Sequence, residues 1–206
     1  TGTLVMVLLL AAALPAAAAQ RTLLVLGDSL SAAYGMASAQ GWVSLLEARV
    51  SAADDAWRVV NASMSGETTA GGAARIDSEI ATHDPDLLVL ELGANDALRG
   101  LPLEAARANL QRIIDAARAN DAEVLLLGMR IPPNYGKGYS EAFAAIYTGL
   151  AQQPGVTLLP FLLDPIALDA DAFQPDGVHP VAAVQPRLLD HVWPALQLLL
   201  ATEPAP

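Results

Sequence analysis

Short, unbroken apolar runs separated by amphipathic stretches restrict this chain to a small set of folds. Leu23-Leu24-Val25-Leu26 stops at Gly27, Leu87 to Leu92 begins after Pro85 and stops at Gly93, and Val124-Leu125-Leu126-Leu127 stops at Gly128. Runs without polar alternation are what strands covered on both faces require. Arg58-Val59-Val60-Asn61, after Trp57, and Val156-Thr157-Leu158-Leu159, the weakest of the five, complete the strand candidates. Between strands, Ala106, Leu110, Ile113, Ile114 and Ala117 recur at helical spacing, with Arg107, Gln111, Arg112 and Arg118 on the other side. Strand and helix in alternation predict a parallel sheet with helices on both faces. Ligands of such sheets bind beyond the carboxyl ends of the strands.

Composition sets the outer limits. A chain of 206 residues, 53% hydrophobic and 16% charged, is long and apolar enough for one domain with a continuous core. The net charge of −11 excludes a nucleic-acid partner, whose binding rests on Lys and Arg displacing counterions. With no cysteine, disulfides, thiolate catalysis and Cys-ligated zinc are ruled out.

Residues 1–19 carry no charge. The apolar run Leu4 to Leu14 has the length of a signal-peptide core and is too short to cross a bilayer. Pro15 and the small residues ending Ala17-Ala18-Ala19 offer a cleavage site before Gln20. The expectation is a signal peptide over 1–19, its basic start missing, and an exported domain over 20–206. An uncleaved membrane anchor is the alternative.

Polar residues gather at three strand ends. Gly27-Asp28-Ser29-Leu30-Ser31 is expected to place the Ser29 hydroxyl at a helix start, where free N–H groups and the dipole favour negative charge, although a serine there is also an ordinary N-cap. Asn61-Ala62-Ser63-Met64-Ser65-Gly66-Glu67-Thr68 is either a flexible loop or a presentation of the unobstructed Gly66 N–H. In Gly93-Ala94-Asn95-Asp96, Asn95 is either a turn residue or an amide donor to an oxyanion. Near the C-terminus, Asp176-Gly177-Val178-His179-Pro180 spaces an acid and a histidine so that carboxylate and Nδ1–H meet within one turn, which frees Nε2 to take a serine proton. A turn salt bridge is the plainer alternative. Of the other two histidines, His83 reads as a solvated loop residue and His191 as part of a terminal helix over Leu188 to Leu200.

Together, Ser29, Gly66, Asn95 and His179, in that order at successive strand ends, resemble the SGNH hydrolases, also called GDSL esterases and lipases. The resemblance covers the chain from Gln20 onward. Leu26 to Ala32, Val60-Asn61-Ala62-Ser63, Glu91-Leu92-Gly93 with Asn95-Asp96 and Leu98-Arg99-Gly100, and Arg130 to Gly136 through Glu141-Ala142-Phe143 to Ile146-Tyr147 are similar to the bacterial periplasmic thioesterase/arylesterase/lysophospholipase branch. The implied fold is a three-layer α/β/α flavodoxin-like sandwich with a five-stranded parallel sheet.

The resemblance implies that Ser29 is the nucleophile, His179 the general base and then acid, and Asp176 its support. It also implies an oxyanion hole from the backbone N–H groups of Ser29 and Gly66 and the Asn95 amide, with Asp28 and Asp96 as supports. It calls for no metal or organic cofactor. Substrates would be small acyl esters or thioesters, with Leu98, Leu101, Ile131, Pro132 and Tyr135, and by position Met36 and Phe161, as apolar contacts. Ala97 to Leu103 would gate them, or else serve simply as the connection into the helix that carries Glu104. A monomer, periplasmic or secreted and not inserted in a membrane after cleavage of the leader, is expected. Ala33, Ala94 and Ala97 stand where many relatives have glycine, and Val181 where Asn is frequent. Ala94 is thus expected to constrain the backbone before Asn95. A carbohydrate acetyl esterase would instead need a small polar pocket. A non-catalytic flavodoxin-like binding module is disfavoured by the intact Ser29, Asn95, Asp176 and His179.

Overall fold

A computed structural model describes residues 20–53 and 56–202, so the expected leader over 1–19 lies outside the described residues. Five strands, β1 (Arg21–Gly27), β2 (Trp57–Asn61), β3 (Leu87–Glu91), β4 (Glu123–Leu127) and β5 (Val156–Leu159), form one parallel sheet in the order β2-β1-β3-β4-β5. Every residue of β3 is buried, as is all of β1 after Arg21 and all of β4 after Glu123, whereas β2 and β5 at the edges are mostly half-exposed. That difference explains why the central strands read as pure apolar runs and the edge strands did not.

The helices are α1 (Trp42–Ala53), α2 (Thr69–His83), α3 (Ala94–Leu98), α4 (Leu103–Ala119), α5 (Lys137–Leu150) and α6 (Gln185–Leu200). Helix α1 packs on α6, while α2 packs on α4 and α4 on α5. Parallel strands joined by right-handed crossovers put these two groups on opposite faces, giving three layers. The apolar stripe of α4 is buried as its spacing predicts, at Ala106, Leu110, Ile113, Ile114 and Ala117. Because β2 lies on one side of β1 and β3 on the other, the strand order reverses between β1 and β3, the point where such sheets leave a crevice.

Several local expectations change. No helix follows Ser29: residues 29–34 form turns held by Ala32 N–H donating to Asp28 O and Tyr34 N–H to Ser29 O, and the first α-helix starts at Trp42. The dipole argument for Ser29 therefore lapses. The reason is Ala33, whose φ of 57° leaves the right-handed region and breaks the helical path. Before Asn95, the positive φ belongs to Gly93 at 117°, and Ala94 is helical, so alanine constrains nothing there. The β3 strand ends at Glu91 rather than Leu92. His83 is the last residue of α2 and lies 3.5 Å from Glu79, not in a solvated loop. Within Ala97 to Leu103, Ala97 and Leu98 are helical and Leu103 opens α4.

Candidate active site

The segment carrying Asp176 and His179 is a small loop closed on itself. Phe173 and Pro180 form an isolated antiparallel bridge, Gln174 N–H donates to His179 O at 2.7 Å, and Gly177 turns the tip with φ 69°. In this tight turn one carboxylate serves both backbone and ring. Asp176 Oδ1 accepts the N–H groups of Val178 (2.9 Å) and His179 (3.0 Å), and Oδ2 meets His179 Nδ1 at 2.8 Å. Those backbone bonds, from His179 first and Val178 next, and then the ring bond hold the Asp176 carboxyl down at about 2. An ionised Asp176 accepts only, so Nδ1 carries the proton and Nε2 is left as an acceptor.

His179 Nε2 lies 2.8 Å from Ser29 Oγ. The two loops are tied by Gln174 Nε2, which donates to Tyr34 O (2.9 Å) and Pro180 O (3.2 Å). The Tyr34 ring covers that of His179 with centroids 4.3 Å apart. Asn95 sits in the first turn of α3, beyond β3. Its Nδ2 donates to Asp28 Oδ2 at 2.9 Å, leaving the second amide hydrogen for another acceptor. Arg99 Nη2 donates both to Asn95 Oδ1 (3.3 Å) and to Gly66 O (3.1 Å), linking the loop after β2 to α3. The structure thus brings Ser29, Gly66, Asn95, Asp176 and His179 to one end of the sheet, at the reversal of strand order.

The profile of the GDSL-like lipase/acylhydrolase family matches residues 25–185, the span that holds all five of these residues. The chain belongs to this family. This GDSL hydrolase is 49% identical to the esterase TesA of Pseudomonas aeruginosa across 89% of this chain and 91% of that protein. It is 43% identical to thioesterase 1/protease 1/lysophospholipase L1 of Escherichia coli K12 across 88% of this chain and 85% of that one. The crystal structure of TesA superimposes with a TM-score of 0.84 at 49% identity, covering 87% of this chain and 99% of the other.

Beneath the nucleophile turn the GDSL hydrolase buries carboxyl groups that sequence reading left without a role or only as supports. Glu91 (0% exposed) accepts the Asp28 N–H at 3.2 Å and the Ser31 hydroxyl at 2.8 Å through Oε2, and Oε1 has no partner among the described residues. A lone acid inside an otherwise continuous apolar run was its visible signal. Burial pushes Asp28 up to about 6 against bonds from Leu30 N–H and Asn95, and burial with the Asp28 charge pushes Glu91 well above the usual carboxylate range. Asp96 accepts Thr69 N–H (2.9 Å) and Oγ1–H (2.6 Å), fastening α3 to the start of α2. Arg99, Gln174 and Tyr34 were also missed, because nothing in their local sequence marks partners so far along the chain.

The residues expected to contact substrate differ widely in exposure. Leu98 and Met36 are half-buried, Leu101, Pro132 and Tyr135 are exposed, and Ile131 and Phe161 are buried and half-buried. Tyr135 and Tyr139 hydroxyls donate to Leu98 O (3.3 Å) and Ala97 O (3.2 Å), restraining the segment expected to gate. A cavity of about 550 Å³ between α4 and α5, lined by Leu101, Leu103, Arg107, Tyr139 and Ile146 among others, includes none of the five site residues. Among the described residues no group of His, Asp and Glu could hold a metal ion.

Proposed function

We propose that this GDSL hydrolase is a serine esterase that cleaves carboxylic esters and acyl thioesters through an acyl-enzyme on Ser29. The observation that carries the reading is the unbroken relay from Asp176 through His179 to Ser29, with both contacts at 2.8 Å. In the forward step His179 Nε2 takes the Ser29 proton as Oγ bonds to the acyl carbon. The negative oxygen is met by the Ser29 and Gly66 N–H groups and the free Asn95 amide hydrogen. His179 then protonates the departing alkoxide or thiolate, and a water activated by the same nitrogen releases the acid.

The rim favours an acyl chain over a small polar group. Of the large apolar side chains that stay well exposed among the described residues, Tyr34, Met64, Leu101, Tyr135 and Val178 lie on segments carrying or adjoining the site, and Leu168 and Leu198 lie elsewhere. The chain would run along Leu98, Leu101, Pro132 and Tyr135, with Ile131 behind them. Relatives named esterase, thioesterase, lysophospholipase and arylesterase fit a groove of this broad kind. Among the described residues no helix is long and apolar enough to cross a membrane. Export, with cleavage before Gln20 and a periplasmic or secreted monomer, completes the proposal. The mass of the exported product reads the cleavage site.

Hydrolysis of p-nitrophenyl esters from acetyl to palmitoyl tests the chemistry. The expected result is activity extending beyond the acetyl ester and a fall of at least about 1000-fold in Ser29→Ala. Unchanged activity in Ser29→Ala would falsify the acyl-enzyme, and activity confined to acetyl would turn the reading toward an acetyl esterase.

A further inference from the structure

Besides its own backbone bonds and those of Asp28 and Asn61, the turn that presents Ser29 is anchored by a buried side chain that takes no part in the relay. Glu91 ends β3 opposite Gly27 of β1, and its Oε2 holds Asp28 N–H on one side of Ser29 and the Ser31 hydroxyl on the other. Gly27 is required for this approach, since a Cβ there would lie 2.8 Å from Glu91 Oε2 and from Ser31 Oγ. Asp28, itself 1% exposed, extends the network to Leu30 N–H (3.0 Å) and to the Asn95 amide (2.9 Å). One carboxyl therefore supports the nucleophile, and its neighbour orients the oxyanion donor.

Among the described residues no buried cation offsets the two acids. The groups around them are His179 across the site and the Tyr147 hydroxyl on α5, which donates to Leu92 O at 2.9 Å and feels the charge of both acids and of Asp96, itself tied to Thr69. Arg99 reaches the network only through Asn95 Oδ1, from an exposed position. Two adjacent carboxylates without a counter-charge in such a place repel strongly.

We propose that Glu91 is a positioning residue that keeps the one proton of a buried Asp28–Glu91 pair at neutral pH, so that Asp28 alone is charged and aims Asn95 while Glu91 anchors the Ser29 turn. Loss of that proton sets the two carboxylates against each other and pulls apart the Ser29 turn and the Asn95 amide. Burial and the adjacent Asp28 charge, which push Glu91 upward, agree with this placement. The inference rests on Ser29 as nucleophile.

Glu91→Gln keeps the shape and one oxygen able to accept both bonds while remaining neutral at every pH, and Glu91→Ala removes the anchor. Two measurements decide, on the whole chain: thermal unfolding from pH 5 to 9, and kcat and KM for one p-nitrophenyl ester over the same range. Folded Glu91 keeps a proton that the unfolded glutamate has released, so rising pH weakens the wild type and not the amide. The Tm of Glu91→Gln should exceed that of the wild type by a margin that widens with pH. Its kcat should stay within about threefold of the wild type at pH 7 and lack the wild-type alkaline decline, whereas Glu91→Ala should lose tenfold or more in kcat with KM little changed. A Tm margin that stays constant with pH overturns the proposal, as do parallel pH profiles of kcat. If Glu91→Ala does not fold, the amide comparison decides alone. Activity surviving in Ser29→Ala would remove the nucleophile, yet the Tm comparison would still report whether Glu91 holds a proton.

Discussion

Asp176 spends one oxygen on two backbone N–H groups and the other on the His179 ring, and this division fixes the imidazole tautomer. Asp176→Asn would present an amide N–H to Nδ1, reverse the tautomer and lower kcat by about 10,000-fold. Because the side chain is exposed, its thermal unfolding midpoint should scarcely move, and steady-state kinetics with a melting curve check both halves. Arg99 is the opposite kind of residue, chemically remote but bonded to both Asn95 and Gly66. Arg99→Met should lower kcat by about 10- to 100-fold with a smaller change in KM, and Arg99→Lys should recover part of it. A rise in KM alone would assign Arg99 to substrate binding instead. Ala33 at φ 57° carries left-handed strain, so Ala33→Gly should stabilise the fold by about 1 kcal/mol in denaturant titration.

At the scale of elements, α3 does more than its length suggests. Its entry needs the left-handed Gly93, where a Cβ would collide with the Tyr147 hydroxyl that caps Leu92 O. Its second residue is Asn95, and its third, Asp96, fastens it to α2. Asp96→Ala strands the buried Thr69 N–H and should cost about 2 kcal/mol of stability while lowering kcat through the displaced Asn95. Equilibrium unfolding and kinetics on one preparation test this, and full stability with full activity would refute the fastening role. Contrast α4, whose buried face was readable from spacing alone because a stripe of Leu and Ile states its own partner, the sheet. A five-residue helix has no such period, and α3 was legible only as polar residues after a strand.

For the whole molecule, two carboxyls of the site change stability with pH in opposite senses, each over its own window. A carboxyl whose folded value is raised binds its proton more tightly folded than unfolded, so stability falls as pH rises from the unfolded value to the folded one. For Asp28 that window runs from about 4 to about 6. The unfolding free-energy advantage of Asp28→Asn over the wild type, read by denaturant titration at each pH, should therefore grow across this window by up to about 1.4 kcal/mol per pH unit and then level. Asp176 acts with the opposite sign: its depressed value gives stability that is present above about pH 4 and lost as pH falls to about 2, screened by its exposure.

What the sequence determined by itself were the parts whose physics is local. Continuous apolar runs at Leu23, Leu87 and Val124 specify doubly covered strands, the stripe on α4 specifies a helix face, and Asp176 and His179 are close enough along the chain to meet in one turn. The polar residues at strand ends followed, because strand direction in a parallel sheet delivers them to one edge. Tertiary structure alone decided the rest. That Ser29 starts no helix depends on the left-handed Ala33, and that Glu91 and Asp28 touch depends on the register that sets Glu91 opposite Gly27. Arg99 bridging Gly66 and Asn95, and Gln174 reaching Tyr34, join segments far apart in the chain. Such contacts have no period and no neighbouring partner to announce them; they exist only once burial has fixed the strands side by side.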